Sequence, residues 1–250
     1  MTTGSPSLDD LWNSMPPGNR TFAPGMTQNL PTAARCYLQH AIAPTARLAS
    51  AVRLRMHGTI KLQRWLPFTA EQVIRSDGEM LWQATVSRFG LPIRGYDRVV
   101  RGEGAMQWKL LGLFTVMASA GPDITRSAIG RVQAESLAWL PSALYSSDVS
   151  WTGVDMAHAH VRRSTRGEVS ELDLTVYDDG RLKAVTLPRW ADPDGRGFRY
   201  VDFGALAEEE ATFDGYTIAT RLRVGYYPGT ARFESEGEFF RVTIDHASYR

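Results

Sequence analysis

One cysteine, Cys36, and three lysines, Lys61, Lys109 and Lys183, are all that 250 residues contain of those two types. A lone cysteine excludes an intrachain disulfide, and nothing in the cysteine usage points to an oxidising compartment. Charge of one sign is also lacking: 28 Lys+Arg against 27 Asp+Glu leave a net +1. No global field therefore draws the chain to nucleic acid or an anionic membrane, and no basic patch interleaved with aromatics argues for single-stranded nucleic acid. Long apolar runs are missing as well. The uncharged, apolar-rich stretch Leu110 to Pro122 is too short to cross a bilayer and reads as a core strand. Met1 to Asp10 has neither the basic nor the apolar region of a secretory leader, so the expected location is the cytoplasm. No GxSxG, HExxH, phosphate-cradling glycine loop or dinucleotide fingerprint occurs, and no cofactor is expected.

What the sequence does contain is alternation. Val52, Leu54, Met56, Ile60 and Leu62 alternate with Arg53, Arg55, His57, Lys61 and Gln63, the period of a half-buried strand. The habit returns at Trp82–Val86, Met106–Leu110, Leu172–Val176, Tyr216–Tyr226 and Phe240–Ile244. Between such runs lie turn signals, Asp178-Asp179-Gly180, Asp192-Pro193-Asp194-Gly195 and Asp214-Gly215 among them. Asp-Gly between alternating runs marks a hairpin, because its turn needs positive φ at both central residues. The expected fold is mostly β (α+β): a strongly curved antiparallel sheet, half-barrel or barrel, with an interior helix and an N-terminal helix.

Residues 1–28 read as a flexible arm with one apolar knot, Leu8, Leu11, Trp12 and Met15, able to dock on the body. Residues 29–250 read as one domain. Helices are expected near 31–43, near 69–75 with Thr69 as cap, and at 122–140, where Gly121-Pro122-Asp123 starts and Pro141 stops the pattern.

Arg131, Glu135 and Trp139 fall at i, i+4 and i+8 of the last helix, roughly along one stripe. Facing solvent, that stripe is a weak ion pair. Facing a cavity, it sets a desolvated pair beside an indole and can shift a carboxyl pKa. Tyr96-Asp97 and Glu79 are further acidic or phenolic candidates. His158 and His160 share a strand face and could bind one metal, but lack a third ligand at the expected spacing, so no metal site is assigned. Cys36 and His40 share a helix face without an orienting group or oxyanion site, and read as structural.

At these residues the chain resembles DUF6544, a family of uncharacterised bacterial proteins. The matching stretches are Trp65-Leu66-Pro67-Phe68, Tyr96-Asp97, Gly102 to Met106, Gly121-Pro122, Arg131 to Leu144 and Phe213 to Ile218. The chain departs from the family pattern at Gly225-Tyr226-Tyr227, where a tryptophan is expected, and in the N-terminal arm. The resemblance implies a curved antiparallel sheet wrapped around helices, loosely similar to lipoprotein carriers that hold acyl chains. It brings no established activity.

Two functions are compatible with this reading, and a third reading is a structural or partner-binding domain in which the aromatic stripes simply pack and an exposed apolar patch meets the partner. The first is binding of a hydrophobic or amphipathic small molecule in an apolar cavity enclosed by sheet and interior helix. Arg131, Trp139, Trp108, Trp82, Met106 and Tyr216 would contact the ligand. The second is a cofactor-independent enzyme of cyclase or isomerase type in the same cavity, with Glu135, Asp97 and Tyr96 as acid or base. No nucleic acid partner and no transmembrane segment is expected under either.

Overall fold

In the computed structural model, residues 6–250 are described, and they form one continuous sheet with helices on both faces. The 13 strands are β1 (Ala51–Lys61), β2 (Trp65–Arg75), β3 (Met80–Arg88), β4 (Leu91–Val100), β5 (Glu103–Leu110), β6 (Phe114–Ala120), β7 (Val149–Gly153), β8 (His158–Thr165), β9 (Glu168–Val176), β10 (Leu182–Ala191), β11 (Arg199–Phe213), β12 (Tyr216–Tyr226) and β13 (Glu238–Tyr249). Their spatial order is β6-β5-β4-β3-β2-β1-β13-β12-β11-β10-β9-β8-β7. The sheet curls into a half-barrel. Its two edge strands, β6 and β7, are joined in sequence by the interior helix α3 (Pro122–Trp139), which crosses the concave face.

The alternating pattern sets the faces. Val52, Leu54 and Met56 of β1 are buried in the core that also takes side chains of α2 (Thr32–Ala41) and α3, while Arg55 and His57 are exposed on the outer face. Residues 69–75, expected as a helix, belong instead to β2. Leu66, Phe68, Ala70, Gln72 and Ile74 are all buried, so period-two burial overrides the cap signal of Thr69. The stretch 110–122 is corrected too. It is not a core strand but the β5–β6 turn followed by edge strand β6, whose residues are almost all exposed. Among the described residues no helix is long and apolar enough to cross a membrane.

The apolar knot of the N-terminal segment docks. Ser7 and Asp10 form a reciprocal cap on α1 (Leu8–Asn13), and Leu8 and Leu11 pack on Val73 and Leu81 of the outer face. Further along, Phe22 is buried against Tyr145, and its backbone pairs with that of Thr45 and Ala46. The last turn of α3 is held by side chains that satisfy carbonyls left open at a helix end. The Tyr37 hydroxyl donates to the Leu137 carbonyl, and that of Tyr249 to Trp139 at 2.9 Å.

Where the sheet curls, the β2–β3 turn meets the β8–β9 turn. Arg166 donates to Glu79 at 2.9 Å, the buried Arg163 donates to the Ser76 carbonyl, and Gly78 (φ +85°) lies under the Thr165 methyl. A Cβ at Gly78 would lie 2.2 Å from that methyl carbon. Gly78→Ala is therefore expected to cost about 1–3 kcal/mol in urea unfolding. In a Thr165→Ser background, which lacks the methyl, part of the loss should return. Equal losses in both backgrounds would place the whole cost in the backbone.

Candidate functional site

Helix α3 lays Arg131 and Glu135 one turn apart over a row of the concave face, Gln72–Trp82–Asp97–Met106, defined by the register of β2 to β5. Arg131 donates to Glu135 (2.7 Å) and to Asp97 (2.7 Å), and its guanidinium lies 5.1 Å over the Trp82 ring. Gln72, whose side chain is otherwise buried in β2, donates to Glu135 at 2.7 Å. Burial pushes the Asp97 carboxyl above its usual range, opposed by Arg131 and Arg189. Burial also works against the charge on Arg131, but Glu135 and Asp97 outweigh it and hold the guanidinium firmly protonated.

This cluster is nearly self-neutralised. Glu135 and Asp97 are both engaged by Arg131, a poor starting point for a general base. What remains open is acceptor capacity: Asp97 Oδ1 and Gln72 Oε1 are buried without a hydrogen-bond partner. Asp97, Met106, Arg131 and Arg189 line a cavity of about 40 Å³ between α3 and the sheet. That space suits a water or a small polar group, not a lipid. The expected enclosed apolar cavity is thus replaced beneath α3 by a packed, charged interior.

The apolar surface lies farther along the same face, beyond the reach of α3. The rows Gly95–Trp108–Met117 and Val86–Ile93–Leu110–Phe114 continue the concave side of β3 to β6. Trp108, Ile93 and Leu110 are half-buried, Met117 is 49% exposed and Phe114 66%. Gly95 permits this arrangement, since a Cβ there would meet the Trp108 ring at 2.3 Å. Trp108 packs edge-on to Trp82 at 5.7 Å, and Trp82 in turn contacts Phe68 and Phe240. An aromatic wall therefore runs from the charged cluster out to the uncovered edge of the sheet.

Of the residues singled out from the sequence, Glu135, Asp97, Arg131, Trp82, Met106 and Trp108 come together. Three do not. Tyr96 neighbours Asp97 on the strand and so points to the opposite, outer face, beside Leu8 and Leu11. Trp139 turns toward β12 and donates to the Ala219 carbonyl at 3.0 Å. Tyr216 stacks on Tyr249 at 4.0 Å and its hydroxyl ties Arg47 and Ala49, a structural clasp at another part of the core.

The remaining candidates are engaged elsewhere. Glu79 holds Arg75, Arg166 and the Arg101 amide. His158 pairs with Asp155, and His160 with Asp173 and Glu171, which raise its pKa. His40 pairs with Glu210, not Cys36. Among the described residues no three His, Cys, Asp or Glu side chains are grouped to hold a metal ion.

Sequence reasoning missed Gln72, Arg189, Phe240 and Phe114. The first three reach the site only through long-range pairing. Phe114 sits in an apolar run that composition alone reads as buried.

Two solved structures are similar in outline. One is an outer membrane lipoprotein-sorting protein domain from Vibrio parahaemolyticus, 8% identical, TM-score 0.43, over 80% of this chain and 86% of that one. The other is a LolA superfamily protein from Nitrosomonas europaea, 8% identical, TM-score 0.39, over 87% and 92%. No curated protein matches the chain at a significant level. Residues 20–235 match the model of DUF6544, a family of unknown function, and with most of its length inside that match the chain belongs to this family.

Proposed function

We propose that the protein binds an amphipathic molecule on the uncovered end of the concave face. The observation that carries this reading is the contiguous apolar surface of Trp108, Ile93, Leu110, Phe114 and Met117, open to solvent yet continuous with the core. A contiguous apolar patch of this kind on a folded domain marks a binding surface. The long apolar part of the ligand lies along it, and the head reaches the cluster around Asp97. Because Arg131, with Arg189 beside it, offsets the two carboxylates, while Asp97 Oδ1 and Gln72 Oε1 remain free acceptors, a hydroxylated, uncharged head fits best.

Displacement of an environment-sensitive apolar dye by monoacylglycerols of increasing chain length tests this. Affinity should rise about three- to fourfold per methylene, from roughly 0.8 kcal/mol each, and drop at least tenfold in Trp108→Ser. Displacement with no chain-length dependence, or unaffected by Trp108→Ser, would reject the reading.

A further inference from the structure

Exposed large apolar side chains in this protein are concentrated on neighbouring hairpin tips. Leu62 is on the β1–β2 tip, Phe89 (76% exposed) and Leu91 on the β3–β4 tip, and Leu111, Leu113 (75% exposed) and Phe114 on the β5–β6 tip. The tips touch: the Arg64 guanidinium lies 3.9 Å over the Phe89 ring, and the Leu111 amide donates to the Pro92 carbonyl at 2.9 Å. They therefore project together from one end of the half-barrel.

Charge singles out the same end. Residues 59–70, 84–96 and 104–122 contain no Asp or Glu. They do contain Lys61, Arg64 and Arg88 at the tips, and Arg94 and Lys109 just behind. Arg94 and Lys109 stand directly opposite each other across β4 and β5 on the outer face, an unfavourable arrangement unless an anion joins them. Neither is in an ion pair with a carboxylate among the described residues. The carboxylates of the adjoining β12–β13 connection are already engaged: Glu234 and Glu238 by Arg223, Glu236 by Arg232, and Glu238 also by Arg241.

We infer that this end docks on an anionic lipid bilayer, with the apolar tips in the hydrocarbon boundary and the cations among the headgroups. The dimensions agree. Lys109 is two residues behind Leu111 and Arg94 three behind Leu91, about 7 and 10 Å along a strand. A bilayer's polar layer is roughly 5–8 Å deep on each side of its apolar core, so the cations reach the phosphates when the tips reach the chains. Trp65, approached by Lys61 and Arg241, is of the residue type that settles at this boundary. A second copy of the chain suits the patch less well, because pairing across it would set two acid-free, basic rims together. The balanced net charge conceals this local asymmetry. The inference stands on the tips and their charges, independently of the ligand reading.

Flotation of the full chain with vesicles tests it. The protein should float with phosphatidylglycerol–phosphatidylcholine vesicles, weaken as salt rises, and bind phosphatidylcholine alone far less. The double variant Phe89→Asn with Leu113→Ser should bind at least about tenfold more weakly. Arg64→Glu with Arg88→Glu should lose about fivefold or more for each cation. All four positions are exposed, and Phe89 has φ +53°, which asparagine accepts, so folding is preserved. Monoacylglycerol displacement should be unchanged in both double variants, which keeps this result separable from ligand binding. Absence of flotation, flotation indifferent to phosphatidylglycerol, or undiminished binding by the apolar-tip variant would overturn the inference. So would a dimer in light scattering that dissociates in the apolar-tip variant, which would assign the patch to a second copy.

Discussion

Replacing Arg131 by methionine is expected to lower the unfolding free energy by about 3–5 kcal/mol at pH 7, the usual cost of leaving buried carboxylates without their cation. Methionine fills the volume of the aliphatic stem, so the loss reports charge and hydrogen bonding, not a cavity. Arg131 is the one donor shared by Asp97 and Glu135, each at 2.7 Å. The pH dependence follows from the Asp97 shift. Burial already raises its folded pKa above 3.8, with Arg131 opposing; without that cation the folded pKa rises further. A carboxyl with a raised folded pKa binds its proton more tightly in the native state, so stability falls as pH climbs through the shifted range. The deficit of Arg131→Met should therefore be largest at neutral pH and shrink toward pH ~4. Urea unfolding at both pH values checks this, and Asp97→Asn in the same background should recover part of the loss. A deficit below about 1 kcal/mol would mean that solvent already screens the cluster.

Glu238 shows the opposite sign. It is 3% exposed at the start of β13 and receives hydrogen bonds from Arg223 (2.9 and 2.8 Å) and Arg241 (2.7 and 3.1 Å). The Arg223 hydrogen bonds, aided by Arg241, bring its pKa from 4.5 down to about 2. A depressed carboxyl pKa contributes stability that is full above the unfolded value and is lost as pH falls through the folded one. Glu238→Gln is thus expected to cost about 2–3 kcal/mol at pH 7, with the difference from the parent fading between pH 4.5 and about 2. Superimposed acid limbs for variant and parent would remove the assignment. This ion cluster also ties the π-helical turn at Phe233–Gly237 to β12 through Arg223 and Glu234.

The sheet was largely legible in the sequence because period-two alternation is a local property. The β1 stripe and the Asp214-Gly215 hairpin are visible without any long-range contact. The failures have the same root. Thr69 offered a helix cap, yet Phe68, Ala70 and Gln72 already alternated with Thr69 and Glu71. The run from Leu110 to Pro122 looked buried because it carries no charge, but burial at a sheet edge depends on what lies beyond the edge, which composition does not report.

At the site, the Arg131–Glu135 pair was legible from spacing. Trp139 was not part of it, because eight residues of α-helix accumulate about 80° of rotation from i. Tyr96 was excluded by the alternation that included Asp97. Gln72, 63 positions from its partner Glu135, and Arg189, 62 positions from Ser127, whose carbonyl it meets on α3, needed the curl of the whole sheet to bring them in.

The central claim is that the ligand lies on the concave side of the open end, and site-resolved photolabelling tests it most directly. A diazirine-bearing monoacylglycerol, irradiated with the full chain and mapped by peptide mass spectrometry, should label Trp108, Leu110, Phe114 or Met117 saturably and in competition with unlabelled ligand. Label confined to the outer-face groove around Tyr96, Arg94 and Gln107, or label that never saturates, would contradict the account.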